Sequence, residues 1–434
     1  MESRDLDPRL RLMQHADLAG KTVLVRVDHN VVKKGRIKDP YRIDATLATL
    51  YAIAERGGRP ILMTHIGRPM DKKTGKITCH EGESVAPIVR YLEQKLPLTI
   101  RVPEFPIDPE GGGILHMDES IAQAVDDLKK GRATMVYLPN TRWFRGEQSK
   151  GAERAAFVRE LAGLADVFVN DAFGSWQPHA STYDIALQIP SFAGYLLQKE
   201  LTHLQRVLTP ERPFLGIIAG SKYDTKIGPI AALYEKVDRL ILGGILYNTF
   251  IAAKYGIEIA GVSEEDRRLA GELVEKDRTS NKILEMPYLV ESDTIEGRRE
   301  GQYRSVGLEP AGKARAFRYI LDVDPRSLEQ EEVRNVIASA RTIFVNAVMG
   351  LMPLFFEGSQ TLYNLIASNT SAAKLFGGGD TLQELRNLCP ASYMAGMDDP
   401  GTYYFTGGGS VLTAIEQGSP YGLKPVEALM RDGR

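Results

Sequence analysis

The run TVLVRV at 22–27, followed by DATLATLYAIAER at 44–56 and PILMT at 60–64, decides the fold. The first and last pieces are short, apolar and rich in β-branched residues, which suits strands buried on both faces. The middle piece repeats its apolar positions at three- and four-residue steps, the period of an amphipathic helix. Strand, helix, strand is a βαβ unit, and it predicts a parallel pair.

The same rhythm extends outward. Strand-like runs follow at 135–138 (MVYL) and 166–169 (DVFV), with helical patterns at 85–96 and 152–165. It resumes at 214–219 (FLGIIA), 238–242 (DRLIL), 317–321 (FRYIL), 342–346 (TIFVN) and 373–376 (AKLF), each leading into a glycine-rich turn or a helix. Between the two series, 190–208 (PSFAGYLLQKELTHLQRVL) reads as a helix begun by Pro190, with no strand on either side. At 434 residues the chain exceeds one ordinary core. The expected fold class is therefore α/β: two Rossmann-like lobes with mainly parallel sheets, joined by a hinge helix. The expected boundaries are 1–189 for the first lobe, 190–208 for the connecting helix, 209–405 for the second lobe and 406–434 for a segment returning toward the first.

Composition narrows the function. Lys plus Arg total 54 against 56 for Asp plus Glu, a net charge of -2, so no broad field invites nucleic acid or an anionic membrane. Any anion site has to be local. Two cysteines, Cys79 and Cys389, are too few for a disulfide framework and lack metal-ligand spacing, which fits a reducing cytoplasm. The first residues are charged throughout, and no apolar run reaches the length of about 18 that spans a bilayer. The expectation is a protein that is neither exported nor membrane-spanning.

Strands of open parallel sheets present ligands at their carboxyl ends. In the first half those ends carry Asp28 and Asn30, then His65 and Arg68, then Arg142, with Arg42 at the start of the first helix. One such residue is ordinarily solvated surface or a helix cap. Three arginines and a histidine converging on one crevice suit a small anion bearing phosphate and carboxylate groups. His29 and Trp143 read as core neighbours, and DKKTGK at 71–76 as a solvated loop.

In the second half three glycine-rich elements follow strands: AGSKYDTKIG at 219–228, GGGDT at 377–381 and TGGGS at 406–410. Each alone is a plain turn. Leading into helices, such runs let backbone N–H groups and the helix dipole face a phosphate, and three in one chain point to a nucleotide. Lys222 and Lys226, four apart, are expected to bring two ammonium groups to one anion, against the alternative of an exposed helix face. Asp380 suits either Mg2+ or the N-cap of the helix DTLQELRNL, and both roles are compatible. A GxxxxGK(S/T) loop, the HRD and DFG motifs of protein kinases, and a GxGxxG after the first strand are all absent.

Together these residues resemble the phosphoglycerate kinase family from about residue 18 to about residue 425. The family's VDFNVP reads VDHNVV at 27–32, SHLGRP reads THIGRP at 64–69, ENxRF reads PNTRWF at 139–144, and VNDAFG is intact at 169–174. GGAKxxDKI reads AGSKYDTKI at 219–227, GGGDT is intact, and STGGGASL reads FTGGGSVL at 405–412. The resemblance implies a monomeric bilobal kinase that transfers a phosphoryl group between 1,3-bisphosphoglycerate and ADP, giving 3-phosphoglycerate and ATP, with Mg2+ as cofactor. It assigns Asp28, Asn30, Arg42, His65, Arg68 and Arg142 to the acid. It assigns Gly220, Lys222, Lys226, Gly243, Asn346, Gly350, Gly377, Gly378, Gly379, Asp380 and Thr381 to the nucleotide and transition state, with Arg42, Lys222 and Gly378 catalytic and Asp380 on the metal.

Two departures from the family stand out. Where the family has HRAH after DAFGTA, this chain reads DAFGSWQPHAST, a residue shorter and without the arginine. Where the family has WNGPMGVFE, it reads VNAVMGLMP at 345–353, so Pro353 stands in place of the ribose-binding glutamate, with Glu357 as a candidate to slide into that role. The alternatives they raise are a kinase of the same fold for another small carboxylic acid, and a nucleotide-binding homologue without catalysis.

Overall fold

The structure, a computed structural model, describes residues 6–431 except Thr225 and 309–315. Its contacts divide the chain into two units. One runs up to Thr202 and resumes at Tyr421, and the other is His203–Pro420.

The first unit is built on a six-stranded sheet. Its strands are β1 (Thr22–Val27), β2 (Arg59–Met63), β3 (Ile100–Arg101), β4 (Met135–Tyr137), β5 (Val167–Asp171) and β6 (Ser191–Ala193). All pairs are parallel, in the order β3-β4-β2-β1-β5-β6. Every residue of β1 and β5 is buried, because helices cover both faces. Val23, Val25 and Val169 pack there with Ile53, Ile88 and Leu92 from two of the covering helices.

The second unit carries a five-stranded parallel sheet made of β7 (Phe214–Gly220), β8 (Arg239–Gly243), β12 (Thr342–Asn346), β13 (Ala373–Gly377) and β14 (Thr402–Phe405), in the order β8-β7-β12-β13-β14. A separate antiparallel sheet of β9 (Tyr288–Ser292), β10 (Tyr303–Gly307) and β11 (Tyr319–Val323) is inserted before β12.

The structure corrects three expectations. The strand expected at 317–321 lies at Tyr319–Val323 and belongs to the antiparallel sheet. Burial in β9 and β11 is mixed, with partly buried positions between buried ones, as in a sheet with one wetter face, whereas β12 is buried throughout. Pro190 precedes the edge strand β6, and the helix begins only at Tyr195, so a strand does flank it. The division between the units falls inside that helix, Tyr195–Leu208, after Thr202.

The return expected from 406 happens later. The helix Gly408–Gln417 packs on the helix Ile227–Lys236 within the second unit. From Tyr421 the chain joins the first, where Asp7 N donates to Tyr421 Oη at 2.8 Å and Arg11 donates to the carbonyls of Ala428 and Leu429. Among the described residues no helix is long and apolar enough to cross a membrane.

Candidate functional site

In the first unit the carboxyl ends of β1, β2 and β4 converge on a basic cluster. Asp28, just past β1, pairs with Arg42 at 3.2 Å. Its second oxygen, Oδ1, is buried without a hydrogen-bond partner among the described residues. Asn30 accepts at 3.0 Å from the backbone of Gly67, whose carbonyl in turn accepts from the Arg142 guanidinium. Asn140 holds these loops together, accepting from Ile66 N and Arg142 N and donating to Ile66 O. Arg142 Nε is buried and unpartnered, a donor left over once the loop contacts are made. Arg68 is exposed beside it, near enough for its charge to be felt by Arg142.

His65 sits at the centre. Burial, then the charges of Arg26, Arg142, His179 and Arg42, push its pKa well below the ordinary histidine value, so it is neutral at physiological pH. With Nδ1 3.1 Å from Arg26 Nη2, its lone pair accepts from that guanidinium. All six residues expected in the acid site are thus in one neighbourhood.

Arg26 is the residue that sequence reasoning missed. It interrupts an otherwise apolar strand and is only 1% exposed. Its Nε donates to Ser181 Oγ at 2.9 Å, and Ser181 donates through Oγ at 2.6 Å and through N at 3.0 Å to the buried carboxylate of Glu147. The signal was available: a charge inside TVLVRV cannot be buried without partners. His29 is a core residue as expected, bonded to Tyr137 and Thr46, and burial lowers its pKa to about 3.

The departing segment contributes no arginine or lysine. Ser175 Oγ lies 3.4 Å from His65 Nδ1, Trp176 is half-buried, and Gln177 and Pro178 are exposed. Arg154, from the preceding helix, holds the segment by donating to the Pro178 carbonyl while pairing with Asp184.

In the second unit the carboxyl ends of β7, β12 and β13 border a cavity of about 680 Å3. Its polar end holds Gly220, Ser221, Lys226, Asn346 and the start of the helix Gly379–Leu388; its other walls include Ile245, Ile295, Leu321, Met349, Leu351 and Met352. Lys226 Nζ donates to Ala219 O at 2.8 Å and to Asn346 Oδ1 at 2.7 Å, and the Asn346 amide donates to Gly377 O. One amide thereby ties three adjacent strand ends together. Burial pulls the Lys226 ammonium down to about 8, opposed by the charge of Asp380.

Gly378 has φ +114°, and a Cβ there would lie 2.6 Å from Asn346 Nδ2. Only glycine permits that approach, which leaves the first N–H groups of the following helix facing the cavity beside Asp380 and Thr381. An anion placed there meets amides, a dipole and an ammonium at once.

Four expected nucleotide or ribose residues sit differently. Lys222 and Lys226 do not share a helical face, since the helix starts at Ile227. Lys222 is exposed and lines a second pocket with Asp224, Ser263, Glu265 and Asp266. Gly243 and Gly377 are buried strand ends: Gly243 leaves room for Met349, and Gly377 supplies the carbonyl that Asn346 uses. Glu357 is paired with Arg298 at 2.7 Å. Gly350 does line the cavity, and Asn248 and Glu384, not singled out in the sequence, line it too.

A phosphoglycerate kinase family model matches residues 13–418. The chain belongs to the phosphoglycerate kinase family. Among curated members, the phosphoglycerate kinase of Rubrobacter xylanophilus is 34% identical over 412 residues, 94% of this chain and 95% of that protein. That of a Synechococcus strain is 35% identical over 415 residues, 92% and 93% of the two chains. Among solved structures, phosphoglycerate kinase from Coxiella burnetii matches 97% of this chain and 98% of its own with TM-score 0.73 at 27% identity. The Pyrococcus horikoshii enzyme, at 22% identity and TM-score 0.71, shares the fold. The family motifs at 27–32, 64–69, 139–144, 219–227 and 377–381 therefore lie at the strand ends where the two clusters form.

Proposed function

We propose that this chain is a phosphoglycerate kinase, moving a phosphoryl group reversibly between 1,3-bisphosphoglycerate and ADP to give 3-phosphoglycerate and ATP. The observation that carries the reading is the Lys226–Asn346–Gly378 cradle, an amide-and-ammonium arrangement suited to a phosphate at the carboxyl edge of a parallel sheet, in a chain of this family.

The chemistry asks little of acid–base groups. The attacking carboxylate is already ionised at neutral pH, so no general base is required, and a neutral His65 suits a hydrogen-bonding role. Catalysis rests on positioning and on neutralising the charge of the migrating group. Asp28, Asn30, Arg42, His65, Arg68 and Arg142 hold the acid and its phosphate, with Arg26 placing His65. Gly220, Lys226, Asn346 and residues 378–381 hold the nucleotide phosphates. Arg42, Lys222 and the Gly378 backbone act on the transferring group. Lys222 serves if its side chain leaves the acidic pocket when phosphate arrives.

Mg2+ fits the donor set: Asp380 and Glu384 offer hard carboxylate oxygens one turn apart at the cavity, and this ion takes its remaining ligands from phosphates and water. Bound there, it would neutralise nucleotide phosphate charge. The reading also proposes a cytoplasmic monomer, supported by family resemblance, whose units move as ligands bind so that the two substrates meet.

The Ser175–Pro178 segment favours a second reading, a kinase of the same fold for another small carboxylic acid, because it brings no arginine to the cluster. A coupled assay with ATP and a panel of acids decides. Turnover of 3-phosphoglycerate supports the first reading; rapid turnover of a different acid, with 3-phosphoglycerate inert, establishes the second. Calorimetric nucleotide binding with no acid turned over would leave a non-catalytic binder.

A further inference from the structure

Asn248 lies on the helix Gly244–Tyr255, one turn beyond Gly244, and its side chain is a wall of the 680 Å3 cavity. It is 5% exposed, so its amide is fixed by what surrounds it. Nδ2 donates to the Ile320 carbonyl at 2.9 Å, which settles the orientation of the group, since that carbonyl requires a donor. Oδ1 then points the other way. It takes no hydrogen bond among the described residues, and it is absent from the polar atoms sealed in without a partner, so it opens on the cavity.

The phosphate end of the cavity is fixed by Gly220, Lys226 and Gly378. The surfaces near Asn248 are apolar: Ile245 next to it on the helix, with Ile320 and Leu321 from β11. Apolar walls suit the faces of a planar base, and a single oriented acceptor reads one edge of it.

We propose that Asn248 is a specificity-determining residue that selects nucleotides whose base carries an exocyclic amine, adenine rather than the 6-oxo purines. The proposal rests on the reading of this cavity as the nucleotide site. An amine donates to Oδ1. A 6-oxo group sets oxygen against oxygen, and the amide cannot rotate to offer its NH2 without abandoning Ile320 O in a buried place.

The test is calorimetric binding of ATP, ITP and purine riboside triphosphate, which has no six-position substituent, to the wild-type chain and to Asn248→Leu. The wild type is expected to bind ATP about 10- to 100-fold more tightly than ITP, with purine riboside triphosphate in between, and Asn248→Leu to bring all three together. ITP binding as tightly as ATP to the wild type overturns the proposal, and so does discrimination that persists undiminished in Asn248→Leu. If Asn248→Leu fails to fold, the wild-type series still decides: purine riboside triphosphate equal to ATP overturns it, and the ranked order supports it. Equal binding of all three sinks this inference alone, whereas no binding of any nucleotide sinks the reading of the cavity with it.

Discussion

The ammonium of Lys226 lies 2.7 Å from Oδ1 of Asn346, and the same amide donates to the carbonyl of Gly377. The contact makes Lys226 a fixed cation, held where the helix Gly379–Leu388 begins.

Because burial brings Lys226 to about 8, the free protein at pH 8 holds that ammonium about half protonated. An arriving phosphate favours the charged form, so nucleotide binding at pH 8 takes up part of a proton. Calorimetric enthalpies measured in buffers of different ionisation enthalpy are expected to differ accordingly. In Lys226→Met the buffer dependence disappears and nucleotide affinity drops by about 1.5–3 kcal/mol, the worth of a charge-assisted contact.

Lys222 is exposed, so Lys222→Ala is expected to leave the unfolding midpoint in urea unchanged. If it acts on the transferring group, kcat falls by about 10²- to 10³-fold with a small change in KM. Steady-state kinetics with unchanged rates would remove it from the catalytic set. Arg42→Ala is expected to lower kcat by a similar factor and to leave the buried Asp28 without its ion pair.

Arg26 and Glu147 are both buried and communicate through Ser181. Removing one charge strands the other, which costs about 3–5 kcal/mol. Arg26→Met is expected to lose that much in denaturant unfolding, and the double variant Arg26→Met with Glu147→Gln to recover most of it. Additive losses in the double-mutant cycle would show that the two groups do not compensate each other.

Asp171 accepts from Leu197 N at 3.1 Å at the start of the helix Tyr195–Leu208, and burial raises its pKa to about 7. Between roughly pH 4 and pH 7 the folded chain keeps a proton that the unfolded chain has released, so this group's contribution to stability is greatest at low pH and declines as pH rises through that window. Asp171→Asn removes the slope. Relative to this variant, the wild type should lose stability steadily from pH 4 to pH 7, as measured by urea titrations at fixed ionic strength.

The two parallel sheets and the two glycine runs that border the cavity, at 219–228 and 377–381, were readable in the sequence, because buried parallel strands are written as unbroken apolar runs and glycine allows the close backbone approach made at Gly378. The strands β9 and β10 were not, since one-face burial leaves mixed composition that resembles loop. Arg26 was visible as an anomaly whose partner, Glu147, is remote in sequence.

What the sequence settled by itself is the class of fold, the family and most of the charged residues of both clusters, all of which depend on local pattern and residue chemistry. Tertiary structure alone decided that Lys222 and Lys226 face different pockets, that Glu357 is taken by Arg298, and that Asn248 turns one acceptor to the cavity. Those outcomes depend on which distant backbone groups and charges arrive beside each side chain, and periodicity carries no information about that.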